Sequence, residues 1–235
     1  MSMRFIQART EEIKYHEKFY AENELFAPGT WLARPVKAIM DTFGLLDPHD
    51  VRVLDLGSGV GRNSIPIAQA IKAYGGTVTA VDLIPSAVEI LQENARKYEV
   101  RDNLNAIVAD IEEYRISPQS YDYIIACSAL EHVSAEEAFR RVVAGMIAGT
   151  KPHGINAILI NTQSEELDCS TGEVSEGFIE LNLATGKAIS LLKEIYGDWE
   201  IIVERVIPQS IQEIKYGKPI EFRGNWLTFI VRRLS

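Results

Sequence analysis

Cysteine is scarce. Cys127 and Cys169 are the only two in 235 residues, and no CxxC pair occurs. A disulfide scaffold is thereby excluded, and this usage fits a reducing compartment. The four histidines, His16, His49, His132 and His153, stand far apart without zinc-ligand spacing, so no metal is expected. No apolar run reaches the ~18 residues a membrane span needs. No signal peptide opens the chain, so we expect a cytoplasmic protein. Basic residues are outnumbered, 24 against 33 acidic ones, for a net charge of −9. Their densest groupings, Arg140-Arg141, Lys215 with Lys218, and Arg232-Arg233, read as solvated surface. Long-range repulsion opposes binding to a polyanion, so no nucleic acid and no membrane are expected as partners.

What remains is an ordinary globular composition, 46% hydrophobic and 24% charged, with no internal repeat or low-complexity tract. A chain of this size can build its core without covalent staples. From Val51 onward, short β-rich runs alternate with longer helical patterns, as a parallel α/β sheet requires. The strands are expected at Val51–Leu56, Thr77–Val81, Leu104–Ala109, Tyr121–Ala126 and Ile155–Asn161. Helices are expected between them at Val60–Tyr74, Pro85–Tyr98 and Ala135–Ala148. Residues 164–183 read as a polar connection, followed by a helix over Ala184–Tyr196. Two closing strands, Glu200–Pro208 and Trp226–Arg232, flank a loop at Tyr216-Gly217-Lys218-Pro219 and suggest an antiparallel hairpin.

Upstream, residues 1–48 form a helical arm and 49–235 the sheet domain. The arm holds helices over Glu11–Asn23 and Ala33–Phe43, joined through a turn at Pro28-Gly29. Tyr15 and Phe19 lie one helical turn apart, so this arm packs on the sheet through aromatics. The sharper expectation is a lid that presents Tyr15, Tyr20 and Trp31 to a substrate.

The richest segment is Val53-Leu54-Asp55-Leu56-Gly57-Ser58-Gly59-Val60-Gly61, where an apolar strand enters a glycine turn and then a helix. Glycine permits positive φ and close approach of a ligand, and the helix N-terminus offers free N–H groups. The second strand ends in Asp82, placed to accept hydrogen bonds from the two hydroxyls of a ribose. The third ends in Asp110, which could meet the exocyclic amine of adenine. The fourth ends in Cys127-Ser128-Ala129-Leu130-Glu131-His132. Either acid could be a helix cap or a loop end; polar groups at three successive strand ends together favour a nucleoside site.

On these residues the sequence resembles the class I S-adenosylmethionine-dependent methyltransferases across Val51–Asn161. The resemblance implies a Rossmann-like, doubly wound, mostly parallel seven-stranded sheet with an antiparallel C-terminal hairpin and the N-terminal helical arm. It implies S-adenosyl-L-methionine as cofactor, with S-adenosyl-L-homocysteine as product. Asp55, Gly57, Ser58 and Gly59 would meet the methionine part, Asp82 the ribose, and Leu83, Asp110 and Ile111 the adenine. Cys127 opens the loop after the fourth strand and lines the pocket. Gly61-Arg62-Asn63-Ser64 and Asp198-Trp199-Glu200 also resemble the tellurite-resistance-type methyltransferases. Lys151-Pro152-His153-Gly154 stands where the family usually has Pro-Gly-Gly, and His153 departs from it.

His132 is the candidate base, since an acceptor alcohol or amine must lose a proton. Glu131 beside it reads as structural. The loop after the fourth strand lacks the Asn/Asp-Pro-Pro-aromatic motif of amino-methylating nucleic-acid enzymes, which favours a small-molecule acceptor. Two alternatives stay open. A nicotinamide-dependent oxidoreductase also uses a glycine turn and a ribose acid, although Arg62 stands where the dinucleotide fingerprint wants glycine. A non-catalytic S-adenosylmethionine-binding protein would carry the same cofactor residues. Finally, residues 164–183 hold Glu165, Glu166, Asp168, Glu173, Glu176 and Glu180 with no lysine or arginine. They form either a solvated connection or, with Phe178 turned inward, part of the acceptor entrance. Oligomeric state has no sequence signature here.

Overall fold

The computed structural model describes residues 3–176, 179–215 and 217–235, so Phe178 and Tyr216 lie outside the described residues. The alternation of strand and helix patterns produces a single mixed sheet. Its strands are β1 (Arg52–Leu56), β2 (Thr77–Asp82), β3 (Leu104–Val108), β4 (Tyr121–Cys127), β5 (Thr150–Asp168), β6 (Val174–Ser175), β7 (Glu200–Lys215) and β8 (Lys218–Arg232). They are ordered β3-β2-β1-β4-β5-β8-β7, with the two-residue β6 paired to β5 off this path. The first five strands run parallel, and β8 is antiparallel to both β5 and β7.

Alternation along β1 explains the two layers. Val53 joins a core with Ile65, Leu91 and Tyr123 on one face, while Leu54 and Leu56 join Ile124, Phe139 and Leu192 on the other. Helices cover both faces: α1 (Met3–Glu22), α2 (Lys37–Phe43), α3 (Ser64–Ile71), α4 (Pro85–Lys97), α5 (Glu136–Gly149) and α6 (Thr185–Tyr196). In α4, Pro85 sits at the first turn, and Ala87, Val88, Leu91 and Ala95 form the buried stripe. Chain order reverses between β2-β1 and β4-β5, which places the topological switch point at the carboxyl ends of β1 and β4.

In the arm, the helix expected over Glu11–Asn23 spans Met3–Glu22, and the one expected from Ala33 begins at Lys37 after a 3-10 turn over Trp31–Ala33. Other boundaries differ for local reasons. The helix expected from Val60 begins only at Ser64, because Gly59 and Gly61 hold positive φ and the chain is still turning. The polar stretch after Asn161 is not all connection, since β5 continues to Asp168 through a bulge near Gln163, whose φ is 51°. Its partners β7 and β8 are correspondingly long and pair as far as Lys215 with Lys218. This hairpin extends past the sheet and meets α1, where Tyr15 Oη donates to Glu213 at 3.0 Å. No helix among the described residues is long and apolar enough to cross a membrane.

Candidate active site

A cavity of about 470 Å³ opens at the switch point, between the carboxyl ends of the strands, α1 and the long hairpin. Its volume lies in the range of roughly 300–1,000 Å³ typical of small-molecule sites. On one side the glycine turn forms the wall. The N–H groups of Gly57 and Ser58 donate to Val81 O at 2.8 and 3.0 Å, which ties the turn to β2. Gly57 and Gly59 hold φ of 74° and 51°, and a Cβ on Gly59 would lie 2.7 Å from Tyr20 Oη. Only glycine therefore leaves the backbone free to face the cavity under that phenol.

Asp82 closes this wall. Its Oδ2 accepts from Gly59 N at 2.7 Å and its Oδ1 from Ile84 N at 2.9 Å. Burial pushes its carboxyl upward, against the pull of those backbone donors. Each oxygen keeps acceptor capacity for a hydroxyl. Ser58 Oγ is buried without a partner, a second polar group left for a ligand. Asp110 lies at the end of β3, where Arg9 from α1 bonds its Oδ2 and also reaches His132 O at 2.7 Å. Gly57, Ser58, Gly59, Asp82, Leu83, Asp110, Ile111 and Cys127 all line the cavity. A glycine cradle, an unpartnered hydroxyl and two strand-end carboxylates fit a nucleoside cofactor. Asp55 does not line the cavity; it is buried beneath the turn and accepts from Ser64 Oγ at 2.6 Å. Burial raises its carboxyl to about 7, although the Ser64 hydroxyl opposes the shift. Burial likewise raises the Cys127 thiol to about 12, so it stays protonated at neutral pH.

The opposite side of the cavity is polar and aromatic. His132 ends the short turn after β4, and its Nδ1 lies 2.8 Å from the buried carboxylate of Glu180. Burial would lower this imidazole, but the bond and charge of Glu180, with Glu131 and Glu12, outweigh it and raise it to about 9. Glu131 itself anchors the loop, accepting from Ser128 Oγ and from both Asn161 nitrogens through Oε1. From α1, Glu12, Tyr15, His16 and Tyr20 face inward, and Trp31 follows on a 3-10 turn. His16 stacks on Tyr20 and meets His132 edge-on, with ring centroids 5.4 and 6.3 Å apart. Burial lowers His16 to about 4. Phe19 stacks on Trp31 at 5.1 Å, and the Arg62 guanidinium lies over the same indole.

Lys215 is not the solvated surface residue expected from sequence. It is buried at the end of β7 and donates to Glu12 at 2.7 Å and Glu166 at 3.0 Å. Thus Tyr15, Tyr20, Trp31 and His132 gather at one cavity with Glu166, Glu176 and Glu180 of the acidic stretch offered as an acceptor entrance, joined by Arg9, Glu12, His16 and Lys215, which sequence reasoning did not place there. The only prior signal for this second group was helical spacing, which puts Glu12 and His16 one turn apart beside Tyr15 and Tyr20.

Comparison with known proteins gives a consistent picture. Residues 53–154 match the methyltransferase-domain family. The probable S-adenosyl-L-methionine-dependent methyltransferase TehB of Haemophilus influenzae is 23% identical over 198 residues, covering 84% of this chain and 62% of its own length. The chain thus spans about three fifths of that relative. A ubiquinone biosynthesis O-methyltransferase of Rickettsia canadensis is 31% identical over 112 residues, covering 48% of this chain and 43% of its own. Among solved structures, Haemophilus influenzae TehB superposes with a TM-score of 0.65 at 20% identity, over 94% of this chain and 67% of that one. An N-methyltransferase of Haemonchus contortus, in complex with phosphomonomethylethanolamine and S-adenosylhomocysteine, gives 0.64 at 18% identity, over 100% and 61%.

Proposed function

We propose that the protein is an S-adenosylmethionine-dependent methyltransferase that methylates a small-molecule acceptor, a reading supported by the match of residues 53–154 to the methyltransferase-domain family. The observation that carries this reading is one cavity with two unlike sides. A glycine cradle with Asp82 and Asp110 faces an aromatic, ionisable wall built from α1, the turn after β4 and the hairpin.

In this reading Asp82 receives the ribose hydroxyls, and the Gly57–Gly59 backbone lies along the methionine chain. Asp110 receives the adenine amine and exchanges part of its contact with Arg9 for it. When bound, the cofactor supplies an electrophilic methyl on a sulfonium, and the enzyme mainly aligns and shields the reacting pair. Tyr15, Tyr20 and Trp31 wall the acceptor side and exclude water, and His132 is the catalytic candidate there. The arm of residues 1–48 acts as the lid over this side, because α1 supplies one wall of the cavity. A cavity of this volume in a chain of net charge −9 suits a small acceptor over a polyanion. The O- and N-methyltransferases among the similar proteins accord with that choice.

Calorimetric titration with S-adenosylhomocysteine, with a nicotinamide dinucleotide in parallel, tests the cofactor assignment. Saturable one-to-one binding of the first and none of the second is expected. The converse pattern would replace the reading with a dehydrogenase.

A further inference from the structure

We propose that Glu12, His16 and His132 form a binding site for one divalent transition-metal cation, such as Zn²⁺, on the acceptor side of the cavity. One ligand atom from each of the three residues lies within 4.8 Å of the others. Two imidazoles and one carboxylate are a donor set for zinc and its first-row neighbours, whereas magnesium and calcium prefer oxygen alone.

Four features go beyond proximity. First, His132 is already oriented as a metal-bound histidine would be. Its Nδ1 is engaged by the buried Glu180 carboxylate, which leaves Nε2 as the ligand atom, one whose proton the cation must displace. Second, His16 has no hydrogen bond among the described residues. Its Nδ1 is buried without a partner, and its Nε2 stands 3.7 Å from Glu12 Oε2. Such a group, held in a cavity wall by Tyr15, Tyr20 and Trp31, is otherwise unexplained. Third, Glu12 divides its oxygens: Oε1 accepts from Lys215, and Oε2 points to His16. The Lys215 charge is shared with Glu166, so Glu12 is not fully neutralised by it. Fourth, the geometry needs little adjustment. Bonds of about 2.0–2.1 Å place tetrahedral ligands about 3.3 Å apart, a contraction of an ångström or so. Glu12 and His16 share one turn of α1, so side-chain rotation can supply it.

Three protein donors leave at least one coordination position directed into the cavity, as in catalytic zinc sites and unlike closed structural ones. There a bound cation could ligate the acceptor and lower the pKa of its hydroxyl, which would connect the site to the proposed reaction. Binding of the ion itself does not depend on that reading and can fail or succeed separately.

The test uses the tag-free 235-residue chain, freed of metal with a chelator and titrated with Zn²⁺ by calorimetry. Co²⁺ alone is followed by visible absorption. One ion per chain is expected, with intensified Co²⁺ d–d bands of low coordination number. His16→Gln and His132→Ala should each weaken Zn²⁺ binding by at least about a hundredfold. Glu180→Gln should weaken it about 10- to 100-fold, the usual effect of an outer-shell partner. His49→Ala, which removes an exposed histidine paired with Asp47, should change nothing. Each variant is checked for folding by thermal melting and S-adenosylhomocysteine binding, and if His132→Ala does not fold, His16→Gln decides alone. Absence of binding, or unchanged affinity in the folded ligand variants, overturns the proposal.

Discussion

Replacing Asp82 with alanine removes a carboxylate that serves both the turn and the proposed ribose site. Its two oxygens accept from Gly59 N and Ile84 N, and each retains one further lone-pair position toward the cavity. Hydrogen bonds to a charged acceptor are worth about 1.5–3 kcal/mol each, and water recovers part of two such bonds, so the loss on binding is about 2–4 kcal/mol. That corresponds to a roughly 30- to 700-fold rise in the dissociation constant of S-adenosylhomocysteine. The same substitution strands the buried Gly59 N–H, at a cost on the order of 1–3 kcal/mol in stability. A chain of this length melts roughly 2–4 °C lower for each kcal/mol lost. Calorimetry well below the melting temperature, together with thermal melts with and without S-adenosylhomocysteine, separates the two effects. A lowered melting temperature with unchanged affinity would refute the ribose assignment and leave Asp82 only as a brace for the glycine turn.

Two further outcomes follow from buried geometry. Asp55 is held near 7 in the folded protein, above the ordinary carboxylate value of about 3.9. Stability from this group is complete below about pH 4 and is lost as pH rises through about 7, by at most about 4 kcal/mol. Asp55→Asn, which keeps an acceptor for Ser64, should melt above wild type near pH 8 and converge with it toward pH 4. An unchanged pH profile would contradict an ionising Asp55. Gly59→Ala would force a Cβ to 2.7 Å from Tyr20 Oη at a φ of 51°. We expect about 1–2 kcal/mol of destabilisation and a clear loss of S-adenosylhomocysteine affinity; wild-type affinity would show that the Tyr20 contact is not part of the cofactor wall.

The cofactor side of the cavity was legible in sequence because it is built from local features. A strand entering Gly57-Ser58-Gly59 and acids ending successive strands are each contained in a few consecutive residues, and parallel topology brings them together. The acceptor side was not, because its members converge from distant segments. His16 and His132 looked isolated, yet α1 crosses the carboxyl ends of the strands and brings their rings to 6.3 Å. Lys215 read as a surface charge and Glu166 as part of a solvated connection or an acceptor entrance, because nothing local signals that β5 and β7 extend past the sheet and bury both against Glu12. The polar residues 162–168 concealed the end of β5. Glu166 and Asp168 alternate with Leu167 as a strand would, but Glu166 turns toward a buried lysine and not toward solvent. Glu180, from the same acidic stretch, likewise points inward, to His132, whereas Glu176 pairs with Arg4 at the exposed surface.

The most direct measurement is a crystal structure of the chain grown with S-adenosylhomocysteine. The account predicts the ribose on Asp82, the adenine beside Asp110 and Ile111, and the sulfur facing the side of the cavity that holds His16 and His132. A nucleoside anchored anywhere else, or no complex at saturating ligand, would contradict it.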